Sequence, residues 1–229
     1  VDVTTGDVED TLEQGDIKAG EHGQDESEQP GIFASSCRSH VGGLMWLMRA
    51  SRPDLAFSVV GLARQVHRWT RQSDRDLHRV FQYLSGTTVC GTRAVVKHND
   101  RDCLQITAYS DSDFAGSRND RKSTSGWCVF LTGPGGTQSL IDWSSKLQGC
   151  VSRSSAEAEL VAISRCTATK LVGYQEILQM VGLAPVRVDL WTDSKTAMVC
   201  VAAGKSKTLR YIAKTQGAHL GWLRSVFED

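Results

Sequence analysis

The stretch "AYSDSDFAGSRNDRKSTSG", residues 108–126, sets Asp111 and Asp113 one residue apart at the end of an apolar run, before a glycine and several basic residues. Alternate side chains of a strand share a face, so Tyr109, Asp111 and Asp113 point one way while Leu104, Ile106 and Ala108 point inward. Neighbouring carboxylates repel, and something must offset the repulsion. Water does so at an exposed strand end; a divalent cation is the other solution, and the rest of the chain must distinguish them.

Two further segments offer carboxylates at suitable places. Asp193 follows the alternating run "VRVDLWTD" and precedes a helical pattern, the strand-to-helix position where α/β sheets bind ligands. It equally suits an N-cap. In "SSAEAELVAI", Ser154 and Glu157 have the three-residue spacing of a capping box, which gives Glu157 a structural task. Glu159 lies about 200° further round the helix. It starts a stripe through Ile163, Cys166 and Ile177 that reads as core-facing. A glutamate on a buried stripe is costly unless paired or bound to metal. Asp111, Glu159 and Asp193 could therefore converge as three hard oxygen ligands suited to Mg²⁺ or Mn²⁺. From spacing alone, caps and solvated surface charges are the alternative.

The elements that would position them follow from periodicity. "CRSHVGGLMWLMRASRPDLAFSVVGLARQV" and "DRDLHRVFQYLSGT" repeat apolar residues at steps of three and four (Leu55, Val59, Leu62, Val66; Leu77, Val80, Phe81, Leu84) and predict two or three helices, with a break before Pro53. Arg64, Arg68, Arg71 and Arg75 fall on one line of that pattern, as a solvated or a phosphate-tracking face. From residue 93 the pattern is β: "TRAVVKH", "CLQITAYSD", then "GWCVFLTG" and "SLIDWSSK" around a Gly-Pro-Gly-Gly hairpin signal. A long helix is expected from Ser155 to Met180, stopping at Gly182. "VRVDLWTD" is a fifth strand; "SKTAMVCVAAG" and "LRYIAKTQGAHLGWLRSVF" are helical, the latter interrupted near Gly217. Trp143 and Trp191 read as core. This order implies a mixed α/β sheet with packed helices.

Composition narrows the classes. The 40% hydrophobic and 23% charged content is that of an ordinary globular protein. No apolar run approaches the roughly 18–20 residues of a membrane span, and the N-terminus has no signal-peptide pattern. The seven cysteines form no C-x-x-C pair and read as reduced, mostly buried thiols of an intracellular, non-secreted protein, whether in a cytoplasmic particle or the nucleus. The zero net charge conceals an asymmetry. Residues 1–30 hold ten acids and only Lys18, which leaves 25 basic and 16 acidic residues for 31–229. A disordered acidic leader before a basic body is expected, and a basic body suits a polyanionic partner.

Four motifs in register, "YSDSDFAG", "DRKSTSGWCVFL", "DWSSKLQGCVSRSSAEAELVAI" and "LWTDSKTAM", resemble the ribonuclease H domain of copia-type retrotransposon Pol polyproteins. "CRSHVGGLMWLMRASRPDLAFSV" and "RVFQYLSGT" resemble the segment that follows the polymerase palm. The resemblance covers roughly residues 37–227. After the acidic leader (1–30), it implies a helical post-palm segment (31–92) and a ribonuclease H-like domain (93–229). It implies too that the RNA strand of an RNA–DNA hybrid is hydrolysed with two divalent ions, and that the polymerase part of the same polyprotein is a partner. The family's metal-binding carboxylates fall on Asp111, Glu159 and Asp193, with Asp113 a neighbour. Arg121, Lys122 and Lys146 would be phosphate contacts or else solvated charges. The family's paired-aspartate polymerase motif is absent. A fourth acidic residue is expected on a late helix after one more strand, yet residues 194–227 contain no Asp or Glu. A C-terminally incomplete domain with impaired cleavage is therefore expected. A chemically silent, nucleic-acid-binding remnant is the competing reading.

Overall fold

The computed structural model of the chain describes residues 29–117, 120–183 and 185–228. The acidic leader expected over residues 1–30 lies, except for its last two residues, outside them. Strands β1 (Gln105–Asp113), β2 (Thr124–Thr132), β3 (Gln138–Leu147) and β4 (Val188–Trp191) form one sheet in the order β3-β2-β1-β4. The first three are an antiparallel meander, and β4 runs parallel to β1. This is the mixed α/β sheet with packed helices that the sequence leads one to expect. The β1 alternation is realised: Ile106 and Ala108 are fully buried, while Tyr109 is half exposed on the other face.

A parallel neighbour needs a crossover, and the long helical segment supplies it. It consists of α4 (Ser155–Cys166), a π turn (Thr167–Leu171) and α5 (Val172–Met180). Helix α4 lies across β1 and β2, and α6 (Lys195–Ala203), α7 (Ile212–Gln216) and α8 (Leu220–Phe227) cover its far side. Ala158 to Ser164 are therefore all buried. Burial of Leu160, Val161 and Ile163 contributes about 1.5–3 kcal/mol each. That is enough to hold a carboxylate placed among them, which costs several kcal/mol when charged and unpaired.

The opposite face meets a helical unit with its own core. Helices α1 (Cys37–Ala50), α2 (Ala56–Ala63) and α3 (Arg71–Gly86) pack through Val41, Leu44, Val59, Leu62, Leu77 and Val80. A 3₁₀ turn, Pro53–Leu55, joins α1 to α2 and is fixed by the buried Arg52. Its guanidinium donates to Asp54 Oδ2 at 2.7 Å and to the Thr87 carbonyl at 3.0 Å. Trp143 of β3 joins this core, and its Nε1 donates to the Met48 carbonyl at 3.2 Å.

Several expectations are corrected. Residues 92–98 form no strand, because the hydroxyls of β3 and its hairpin take the backbone groups that a ladder would need. Ser139 Oγ accepts from Val95 N at 2.7 Å and donates to Val95 O at 2.8 Å, and Thr137 Oγ1 accepts from Lys97 N at 2.9 Å. The arginine line is broken: α2 ends at Ala63 and α3 begins at Arg71, so Arg64 and Arg68 leave the helix phase of Arg71 and Arg75. Ile177 is exposed, since the π turn shifts α5 out of α4's phase. Only Cys37 and Cys166 of the seven cysteines are buried. Trp191 is 60% exposed.

The β2–β3 hairpin is pinned by Asp100, a buried carboxylate that accepts from Gly135 N and from Thr137 N at 2.8 Å. A Cβ at Gly133 would stand 2.4 Å from the Asp100 Cγ, so this turn needs glycine for close approach. The bond with Thr137, aided by the backbone N–H groups, holds Asp100 below the usual carboxylate range despite burial. Its contribution to stability is therefore full above the ordinary aspartate pKa of about 4 and is lost as pH falls through the depressed value. Asp100→Asn should lower the urea midpoint at pH 7 and lose less than the wild type between pH 7 and pH 3. Parallel acid dependence in both proteins would contradict this role.

Candidate metal centre

The β1–β4 register builds the centre. Tyr109 and Trp191 are partners on the last paired rung of these parallel strands. Asp111 and Asp193 each lie two residues beyond it, so they project side by side from the same face. Helix α4 brings Glu159 to the same point from below. One oxygen from each of Asp111, Glu159 and Asp193 lies within 4.8 Å of the others. All three carboxylates singled out in the sequence are thus brought together, whereas Asp113 lies outside the group.

The local chemistry separates the roles of neighbouring acids. Ser194, not Asp193, caps α6, with its Oγ accepting from Ala197 N at 3.2 Å. Asp193 is therefore free of the capping task its position suited. Ser154 caps α4 and accepts from Glu157 N at 3.2 Å. Glu157 is fully buried, but its carboxylate closes the turn one residue earlier than a capping box would. It accepts from Arg153 N at 2.9 Å, Tyr211 OH at 2.9 Å and Gln216 Nε2 at 3.2 Å. Three donors satisfy it.

Glu159 is different. It is 6% exposed, and its Oε1 accepts from Ser112 N at 3.1 Å and Ser112 Oγ at 2.7 Å. Its Oε2 is buried and finds no partner among the described residues. Burial pushes its carboxyl above the usual range; Asp111 and Asp193 add to the push, and Ser112 opposes it. Two unit charges 4 Å apart repel by about 4 kcal/mol at an effective dielectric of about 20. Solvent reduces this for Asp111 and Asp193, which are exposed. An orphaned buried carboxylate oxygen beside two more carboxylates is the donor set of a hard cation. In an octahedral Mg²⁺ shell opposite ligands stand about 4.2 Å apart and adjacent ones about 3 Å, so the three oxygens would draw closer together to share one ion.

A cleft of about 550 Å³ opens beside the trio, lined by Tyr109, Asp111, Trp191 and Asp193 and, from the helical unit, by Pro53 and Phe57. Arg121, Lys122 and Lys146 do not line it among the described residues. Arg121 is exposed in a turn with φ of 56°, Lys122 pairs with Asp120 at 3.4 Å, and Lys146 is exposed on β3. Sequence reasoning missed Ser112, although the parity that turns Asp111 and Asp113 outward turns Ser112 toward α4. It also missed that Trp191 shares the face of Asp193.

The chain is 31% identical over 200 residues to the retrovirus-related Pol polyprotein from transposon TNT 1-94 of Nicotiana tabacum, a match covering 83% of this chain. It is 33% identical over 150 residues, or 66% of its length, to that from transposon RE1 of Arabidopsis thaliana. The chain belongs to the copia-type Pol polyproteins of transposons. This Pol segment spans only 13% and 10% of those two relatives. No protein-family profile matches it. Among solved structures it overlaps RNase H1 of Halobacterium salinarum loosely, over 55% of this chain and 80% of the other, at 16% identity and a TM-score of 0.33. Among the described residues no helix is long and apolar enough to cross a membrane.

The two glutamates of α4 should separate in solution. Glu159→Gln should leave the metal-free protein as stable or more so, because it removes charge from a buried site, and should abolish Mn²⁺ binding in calorimetric titration. Glu157→Gln should instead cost about 1–3 kcal/mol, because an amide cannot accept from all three donors, and should change Mn²⁺ affinity little. Equal losses of affinity would mean that the helix phase assigned to these residues is wrong.

Proposed function

We propose that this Pol segment is a ribonuclease H, a metal-dependent endonuclease that hydrolyses the RNA strand of RNA–DNA hybrids. The convergence of Asp111, Glu159 and Asp193, one from each of three separate motifs, is the observation that carries this reading. In it these three residues hold divalent cation, Mg²⁺ or Mn²⁺. Such ions, when bound, lower the pKa of a water and stabilise an in-line phosphodiester displacement.

The chain's own groups supply the rest. Asp111 and Asp193 present their carboxylates at the mouth of the cleft, where a phosphodiester can approach, while Glu159 is held from beneath in a dry setting. Asp113, outside the trio, lines the same cleft and would be a neighbour to the ion's waters. The excess of basic residues in 31–229 attracts the polyanion, with Arg121, Lys122 and Lys146 as phosphate contacts outside the cleft. Strand choice rests on the 2′-hydroxyl and the groove shape of the hybrid. Residues 31–92 are, in this reading, the post-palm segment, and residues 93–229 are the ribonuclease H-like domain. Packing of Trp143 against the helical core joins the two within the chain, and the polymerase part of the polyprotein is the partner that this reading expects.

The test is cleavage of an end-labelled hybrid with Mg²⁺ and with Mn²⁺. RNA-strand products that require the metal, with no product in the Asp193→Asn variant, are expected. Hybrid binding should weaken steeply with salt in both proteins. Salt-dependent binding without metal-dependent cleavage in the wild type would favour the silent remnant, and undiminished cleavage by Asp193→Asn would overturn the site.

A further inference from the structure

Ser112 belongs to the "YSDSD" motif but to neither of its acidic positions, and its surroundings give it a task. Ile106 N donates to Arg187 O at 3.0 Å, on the side of β1 that faces β4. Backbone N–H groups of alternate strand residues point the same way, so Ser112 N also points to that side. The ladder with β4 ends at Tyr109 and Trp191, three residues short of Ser112. The Ser112 N–H would be an orphaned donor there, and Glu159 Oε1 takes it at 3.1 Å. The Ser112 side chain, on the α4 face by strand parity, adds a second and shorter bond to the same oxygen, at 2.7 Å.

Two donors on one oxygen fix a carboxylate more than they satisfy it. The group is planar, so pinning Oε1 sets where Oε2 lies, and Oε2 is the atom left buried without a partner. Had Ser112 served only to neutralise a buried acid, its hydroxyl and backbone could have divided between the two oxygens. Residue type alone does not produce the contact either. Ser110, one step along the same face and more deeply buried, has no partner for its Oγ.

We infer that Ser112 is a positioning residue that occupies Glu159 Oε1 through its hydroxyl and backbone N–H and thereby reserves Oε2 for a divalent cation. The inference rests on the metal reading of the trio. Removing the hydroxyl leaves the N–H bond and lets the carboxylate rotate, which lowers the fraction of molecules with Oε2 correctly aimed. Loss of an outer partner of a metal ligand ordinarily costs about 10–100-fold in metal affinity. Because one of two anchors remains, the lower end is expected.

The experiment is calorimetric titration of the full chain with Mn²⁺, for the wild type, Ser112→Ala and Ser112→Thr, beside urea midpoints in EDTA. Ser112→Ala should weaken Mn²⁺ binding by about tenfold with its EDTA midpoint close to the wild type. Ser112→Thr keeps the hydroxyl on a residue that strands favour, and should restore most of the affinity. Wild-type affinity in Ser112→Ala would overturn the inference while leaving the metal reading intact. So would a loss in Ser112→Ala that threonine does not rescue and that tracks a lower midpoint in EDTA. A wild-type chain that binds no Mn²⁺ would instead overturn the metal reading, and the inference with it.

Discussion

Three carboxylates held within reach of one another, one of them inside the protein, are the constraint on which the remaining structure turns. Left alone they would spread apart, and Glu159 would be the first to leave. Each neighbouring element opposes that movement. The parallel register of β1 and β4 puts Asp111 and Asp193 at one level. Helix α4 cannot rotate Glu159 outward because the sheet covers one side of it and α6 and α8 cover the other. Glu157, two residues before Glu159, ties the first turn of α4 to Tyr211 and Gln216. Apolar burial along α4 offsets the cost of that restraint and keeps the three carboxylates within reach of one another.

The helical unit matters to the site through the face it covers. By packing on β3 through Trp143 it leaves the carboxyl ends of β1 and β4 uncovered, and Pro53 and Phe57 become one wall of the cleft. The buried Arg52 sets that wall, since its guanidinium ties the 3₁₀ turn to the end of α3. Access to the carboxylates is thus shaped by residues some 55 positions away in sequence from Asp111, through packing and not through direct contact with the trio.

Much of this was legible in the sequence, and the failures have physical causes. Period and parity located β1, β2, β3, β4 and α4, and helix phase separated Glu159 from Glu157. Those signals are local and strong because each element has one dry side. Residues 92–98 looked like a strand because Val95 and Val96 have strand propensity, but side-chain hydroxyls of Thr137 and Ser139 took their backbone bonds. A π turn, invisible to any fixed helical period, moved Ile177 to the surface. Trp191 was read as core from its type, although its parity with Asp193 already placed it on the open face. The Ser112 contact joins residues 47 apart, and only the assembled sheet and helix reveal it.

If a cation is what offsets the repulsion among these carboxylates, folding stability must be linked to its concentration. The most direct measurement is the free energy of unfolding of the wild-type chain in urea at pH 7 as a function of free Mn²⁺. Binding to the folded state alone should raise stability logarithmically above the dissociation constant, by about 2.7 kcal/mol at a hundredfold excess over it. A stability that stays flat from EDTA to millimolar Mn²⁺ would show that water and the protein's own hydrogen bonds already balance the cluster, contradicting a metal centre.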